Sequence, residues 1–458
     1  MTDNLIKKYR EKALSIDFKE IKLTQLGDES RKKFEGPGYV EQNQDGTLTY
    51  KLFHNAEIGL KEFFGRISRI KVGELIPDDH YYSFEGIDIY DREWTSERIK
   101  LDYHTSKGFT VFQEKLQIIK TTATLPSFKG KEYSGEFHQV WIPKKIKLPS
   151  NLSSSIQYFV GEDEMRSSFS HSAAEYENDI LKILLYHDDD WLIVQIKVDE
   201  DDYHPFIFER TLSALQYILA EPLNWVIYEK RIKDELTSIF RPFQEEHTKS
   251  KFRESILLVD GIESEAWGLF DAYLNHILLN KDDFNDPITK IISKCLSVSQ
   301  GSFDAFSLSL SLAVEEILNI SFKEIEVQKR VTEEDISTFK KAVKKLDIEE
   351  SFRNRIGNFI GYIQRTTATD RLRHLIDSIP ISTTEYDNWK DIRNHFAHPD
   401  DLKLNTQDKV NKTYSVLTLL HKLIFIKIGY QGPYNDFGER EWPMKQWKLN
   451  YEKRTGEL

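Results

Sequence analysis

The chain has 458 residues, 39% hydrophobic and 12% aromatic, with a formal net charge of −12 and a pI near 5.7. That length and apolar content predict two or three packed domains and exclude a disordered chain, and the acidity excludes a protein that coats nucleic acid over its whole surface, so any RNA contact needs a local basic patch. The lone cysteine, Cys295, excludes an intramolecular disulfide framework and a cysteine-based zinc site, and suits a reducing compartment.

Residues 1–22 mix charged and apolar side chains and lack the apolar core of a secretory signal. No apolar run reaches the length needed to span a bilayer, so a soluble cytoplasmic protein without membrane contact is expected. Residues 15–23 read as a strand. Gly36-Pro37-Gly38 is a turn signal, and Gln44-Asp45-Gly46 between two apolar segments predicts a hairpin. Further strands are predicted over 81–90, 109–121 and 136–141, with a hairpin of 181–186 and 191–198 around His187-Asp188-Asp189-Asp190. Many short strands separated by turn residues predict a sandwich or a partly closed barrel. The acidic runs 188–190 and 199–202 lack the glycine and spaced oxygen ligands of a calcium loop and read as solvated turns.

Helical patterning begins near Pro205. Residues 206–240 read as one helical segment interrupted at Pro222. Residues 263–279 form an amphipathic helix with Trp267, Phe270, Leu274 and Ile277 on one face. Asp286-Pro287 opens another helix, with aspartate as cap and proline at the first helical position. An apolar helix covers 303–320 and carries Glu315 and Glu316. Thr332 caps the next, and helices over 349–364 and 370–379 follow. A helix starting at Thr383 or Thr384 leads into residues 389–399, and Asn405 with Asp408 caps a last helix that ends at Gly429. Residues 431–458 read as a polar, aromatic-containing tail. The expected fold class is α+β multidomain: a β-rich domain over 1–205, a helical connector over 206–300, an all-α bundle over 301–430 and a tail over 431–458.

The densest chemistry lies in Trp389-Lys390-Asp391-Ile392-Arg393-Asn394-His395-Phe396-Ala397-His398-Pro399. Proline disfavours helical geometry at the residue before it, which puts His398 at or near a helix C-terminus, where the dipole favours an imidazolium. A guanidinium able to hold a phosphate beside a histidine able to move a proton suits phosphodiester chemistry. The same residues also fit a surface arginine in an ion pair and a histidine at a helix end. Asp391, His395 and His398 at i, i+4 and i+7 could begin a zinc site, but no further ligands are identifiable.

Arg393-Asn394-x-x-x-His398 resembles the R-x-x-x-x-H signature of HEPN-superfamily ribonucleases, and the arrangement of a β-rich N-terminal half with a C-terminal helical domain resembles the ApeA-type anti-phage proteins. The resemblance implies a metal-independent, cofactor-free endoribonuclease acting in abortive anti-phage defence on tRNA or other host RNA. In that comparison His398 is the general acid/base, Arg393 the phosphate clamp, and Asn394 the residue that orients His398 or contacts phosphate. Glu315 matches the acidic residue that such domains carry in an earlier helix; Glu315 and Glu316 equally fit a solvated helix edge. The resemblance also implies a homodimer through the helical domain, with a phage protein as trigger acting through the β-rich region. A rival reading is an inert HEPN module that binds RNA or nucleotide, or only mediates assembly.

Arg353, Arg355, Arg365, Arg371 and Arg373 stand against the single acid Asp370 within 351–375, with Phe352, Phe359 and Tyr362 between them. Arginine reads phosphate and aromatic rings stack unpaired bases, so this stretch is the candidate RNA-facing surface. Ordinary amphipathic helices with internally paired arginines would have the same composition. Five positions along a helix separate Arg393 from His398 by about 140°, so two chains are expected to combine their motifs at one phosphate. Leu419, Leu423 and Phe425, outside the main stripe of the last helix, are the candidate apolar contribution to that assembly.

Overall fold

The computed structural model describes residues 2–27, 32–56, 75–106, 108–124, 135–152, 156–160, 163–167, 173–199, 204–243, 255–257, 263–279, 286–325, 332–363, 366–377, 379–397 and 405–449. The chain divides into two compact units: Met1–His204 with Leu223–His247, and Pro205–Pro222 with Thr248–Leu458.

The first unit opens with helix α1 (Thr2–Arg10) and continues through β1 (Ser15–Gln25), β2 (Lys33–Gln42), β3 (Leu48–His54), β4 (Tyr82–Asp88), β5 (Glu93–Ile99), β6 (Asp102–Ser106), β7 (Phe109–Leu116) and β8 (Ile119–Thr124). It goes on with β9 (Glu136–Ile142), β10 (Ile156–Val160), β11 (Asp163–Ser167), β12 (Ala173–Glu177), β13 (Leu181–Asp188) and β14 (Trp191–Val198), and closes with β15 (Ile227–Ile232) and β16 (Glu235–Phe240). Among the described residues, fourteen of these strands form one sheet in the order β12-β13-β14-β9-β15-β16-β8-β5-β4-β1-β2-β3-β7-β6, every pair antiparallel. β10 and β11 pair separately.

Side chains alternate across a strand, so an odd spacing between core residues needs an irregularity. In β1 the core side chains are Ile16, Phe18, Ile21 and Leu23, and the register shifts between Phe18 and Ile21. That bulge keeps both halves of the strand facing inward and adds curvature. The sheet curls far enough that β5 and β7, five places apart in the order, come into contact. The enclosed core holds Tyr50, Phe84, Trp94, Phe112 and Phe240, each fully buried; Tyr50 and Phe84 rings lie 5.9 Å apart and Trp94 and Phe240 rings 6.2 Å apart. The expected β-rich region is thus one large antiparallel sheet that curls between β5 and β7.

One expectation fails here. The helical reading of 206–240 holds only for α2 (Ile207–Leu219); β15 and β16 fill the middle of the sheet, between β9 and β8. Their turn places Lys233 at φ +50°, a left-handed conformation usually announced by glycine or asparagine.

The second unit adds to α2 the helices α3 (Glu263–Leu278), α4 (Pro287–Val298), α5 (Phe303–Ile320), α6 (Glu333–Lys344), α7 (Glu350–Ile363), α8 (Ala368–Ile376), α9 (Thr383–Ala397) and α10 (Thr406–Ile428), then the hairpin β17 (Gly432–Asn435) and β18 (Met444–Trp447). Their ends follow local chemistry. Asp286 accepts from Ile288 N at 2.8 Å and Thr289 N at 3.1 Å ahead of Pro287. Thr332 with Asp335 and Thr367 with Asp370 form reciprocal capping boxes. Asn405 caps α10, which stops at Gly429 with φ +69°.

α10 is the central rod. It packs on α3, α5 and α9 and is buried on nearly every side from Thr413 to Phe425. Tyr217 of α2 bonds its hydroxyl to His421 Nδ1 at 3.1 Å, and burial pushes the imidazole pKa down to about 3, so it stays neutral. Leu419, Leu423 and Phe425 are fully buried in this unit. They are therefore not the apolar contribution to an assembly. Phe425 instead meets Tyr430, Tyr434 and Trp447, with ring centroids 4.8, 6.1 and 6.0 Å away. The described part of the expected tail is thus a hairpin whose aromatic side chains close over α10.

Candidate active site

Four successive contacts hold α9 in place. At its start Ser382 Oγ accepts from Glu385 N at 3.1 Å while Glu385 Oε2 accepts from Ser382 N at 2.8 Å. The other Glu385 oxygen meets Lys422 Nζ of α10 at 2.7 Å, with both side chains about 6% exposed. A buried pair fixes register more than it adds stability, because desolvation offsets much of the attraction. One turn on, Asn388 Nδ2 donates to Ser415 Oγ at 2.9 Å. Trp389, fully buried, donates its indole N–H to the Ser311 carbonyl of α5 at 3.0 Å.

Arg393 follows Trp389 by four residues and shares its face. Its guanidinium carbon lies 5.7 Å from the Trp389 ring centroid, and Nη2 donates to Glu315 Oε1 at 2.9 Å. Glu316 turns away and pairs with Lys294 of α4 at 2.9 and 3.1 Å. The fold therefore gives two adjacent glutamates different partners. The Arg393 pair is monodentate, and among the described residues the guanidinium makes no other hydrogen bond. A planar fork with one donor fixed and the others open can take a phosphate without losing its anchor.

Around this pair, Asn394 is exposed, and His395 is half-buried with its ring 5.2 Å from that of Phe396. Asp391 pairs with Lys412 of α10, which weakens its reading as a zinc ligand. Lys412 lies twenty-one residues further on, across an inter-helix loop, so no sequence spacing announced it. His398 lies outside the described residues; the described helix ends at Ala397. Among the described residues no group of three or more His, Cys, Asp or Glu side chains is disposed to hold a metal.

The arginine-rich stretch is divided in its roles. Arg353 Nη2 donates to the carbonyls of Leu346 and Ile348 at 3.0 and 3.2 Å and braces the turn between α6 and α7. Arg371 Nη1 donates to Asn319 Oδ1 at 2.9 Å and ties α8 to α5. Arg373 is exposed and lies over the Tyr386 ring at 5.3 Å. Arg355 is exposed, as are Phe352 and Phe359. Arg365 lies outside the described residues.

Residues 318–431 match the family model described as Apea-like HEPN. The second unit carries an Apea-like HEPN domain. The match begins near the end of α5 and contains Arg393, Asn394 and His398; Glu315 lies three positions before it. No curated protein and no solved structure matches the chain. HEPN domains are generally ribonucleases and commonly bind RNA and dimerise; Arg393 and Asn394 of this chain sit on α9. No helix among the described residues is long and apolar enough to cross a membrane.

Proposed function

We propose that the HEPN domain is a metal-independent endoribonuclease of abortive anti-phage defence. His398 takes the proton from a ribose 2′-hydroxyl, and the freed oxygen attacks the adjacent phosphate. Arg393 stabilises the charge that builds on the phosphate oxygens. His398 then gives a proton to the leaving 5′-oxygen, and the products carry a 2′,3′-cyclic phosphate and a 5′-hydroxyl. Asn394 orients His398 or contacts phosphate, and Glu315 positions Arg393. Residues 301–430 are the nuclease part. The β-rich part restrains it in the cytoplasm until a phage protein engages that region. Arg355 and Arg373 contact the RNA strand.

The observation that carries this reading is the Glu315–Arg393 pair backed by Trp389. It presets a guanidinium with open donors five residues before a histidine. The test is purified protein on end-labelled total RNA with and without phage lysate, followed by chemical identification of the fragment ends. Fragments with 5′-phosphate and 3′-hydroxyl ends would remove the reading.

Cleavage is expected to persist undiminished in excess EDTA, because the proposed steps need only a proton acceptor and a fixed cation. Activity lost to chelator and restored by a single divalent metal would point to a metallohydrolase. The site is also expected to be shared between two chains. If Arg393 of one chain serves His398 of the other, mixing Arg393→Ala with His398→Ala chains rebuilds one intact site per heterodimer, about a quarter of wild-type activity at random assortment. No recovery after unfolding and co-refolding the mixture would place each site within one chain.

A further inference from the structure

The β-rich unit contains a polar cavity of about 210 Å³, lined by α1, the start of β1 and the turn between β4 and β5. At its wall Asp88 is completely buried, and four N–H groups converge on its carboxylate. Oδ1 accepts from Tyr90 N at 2.8 Å and Arg92 N at 2.9 Å; Oδ2 accepts from Arg92 Nε at 2.6 Å and Trp94 Nε1 at 3.0 Å. Every lone-pair direction of that carboxylate is taken, so it serves to lock Arg92 and not to meet a ligand.

The locked guanidinium is 17% exposed and lies over the rings of Tyr90 and Trp94 at 5.2 and 5.6 Å. Among the described residues its two terminal nitrogens donate to nothing. Lys8 of α1 lines the same cavity, is exposed, and has no ion-pair partner among the described residues. Asp17 is a third lining group whose carboxylate is unpartnered there, and the Tyr90 ring is exposed. A preset arginine costs little ordering on binding, which is how a small pocket gains affinity. A simple anion would meet the charge of Asp17, and a simple cation would meet Arg92 and Lys8. The ligand needs an anionic end and a hydrogen-bond donor that fit the cavity, and a flat face that rests on the exposed Tyr90 at its mouth.

We propose that this cavity binds a nucleoside monophosphate, with the phosphate on Arg92 and Lys8, an amino group of the base donating to Asp17, and the base against Tyr90. The inference is independent of the ribonuclease reading, because none of these residues belongs to the HEPN domain.

Calorimetric titration of the full chain with AMP, adenosine and inorganic phosphate tests it. AMP is expected to bind at least tenfold more tightly than either fragment. Lys8→Ala weakens AMP about tenfold with an unchanged melting temperature of the free protein, since Lys8 supports nothing else. Asp17→Ala has opposite effects on two ligands: it weakens AMP by removing an acceptor and tightens inorganic phosphate by removing a like charge. A structural role for Asp17 would not split in this way. Arg92→Lys keeps the charge but loses the fork, and weakens AMP further than Lys8→Ala. The proposal is overturned if AMP gives no saturable heat, if adenosine binds as tightly as AMP, or if Lys8→Ala binds AMP as the wild type does.

Discussion

Arg393→Ala and His398→Ala are each expected to lower RNA cleavage by on the order of 10³-fold or more, while the protein folds and melts as before. Removing one preset donor to a developing oxyanion costs about 10²–10³ in rate, and removing one member of a unit that acts together costs most of what the unit supplies. The fold should not notice. The Arg393 side chain is 42% exposed and Glu315 29% exposed, so their ion pair is screened and contributes at most about 1 kcal/mol. Glu315→Gln is expected to have a smaller effect than either, because it loosens Arg393 without deleting it. Single-turnover cleavage of a labelled RNA beside a melting curve separates rate from stability. A folded Arg393→Ala protein that cleaves at the wild-type rate would remove Arg393 from the chemistry.

Trp389→Ala should act in the opposite order, on stability first. The indole is fully buried, donates to Ser311 O, and stacks beneath the guanidinium of Arg393. Truncating a buried tryptophan costs about 3–5 kcal/mol, and here it also removes the indole bond between α9 and α5. Against a typical total of about 5–15 kcal/mol, that is a large share. Urea unfolding followed by the helical signal should show a transition moved well toward lower denaturant, with cleavage falling in parallel. Trp389→Phe keeps most of the packing but not the N–H, and is expected to recover more than half of the lost stability. A Trp389→Ala protein as stable as wild type would mean that the α5–α9 contact is not what holds Arg393.

Helix boundaries were the most legible part of the sequence, because caps are local chemistry. Asp286-Pro287, Thr332 with Asp335, and Asn405 with Asp408 each satisfy backbone donors within four residues, and the structure places a helix start at each. The Glu315–Arg393 contact was legible only through resemblance, since seventy-eight residues separate the partners. β15 and β16 were hidden for two reasons. Their turn uses Lys233 where a glycine would have signalled a hairpin, and the burial pattern of β15 does not alternate cleanly between core and solvent. The surroundings of α10 were hidden because a periodic stripe predicts one buried face, whereas this helix is enclosed by other helices and by the hairpin that follows it.

The insertion of α2 between β14 and β15 bears on how such proteins can recombine. The chain leaves the sheet after β14, contributes one helix to the other unit, and returns to lay down two strands in the middle of the sheet. A gene fusion joined at position 205 would carry β9 and β8 but neither of the strands that pair between them. A joint beyond residue 247 would keep the sheet whole but part Tyr217 from its own helical unit, where it bonds His421. Exchange of the β-rich region between related genes therefore demands at least two breakpoints, or one placed beyond residue 247, with α2 travelling alongside the sheet. Chain topology ties the two halves together as heritable modules.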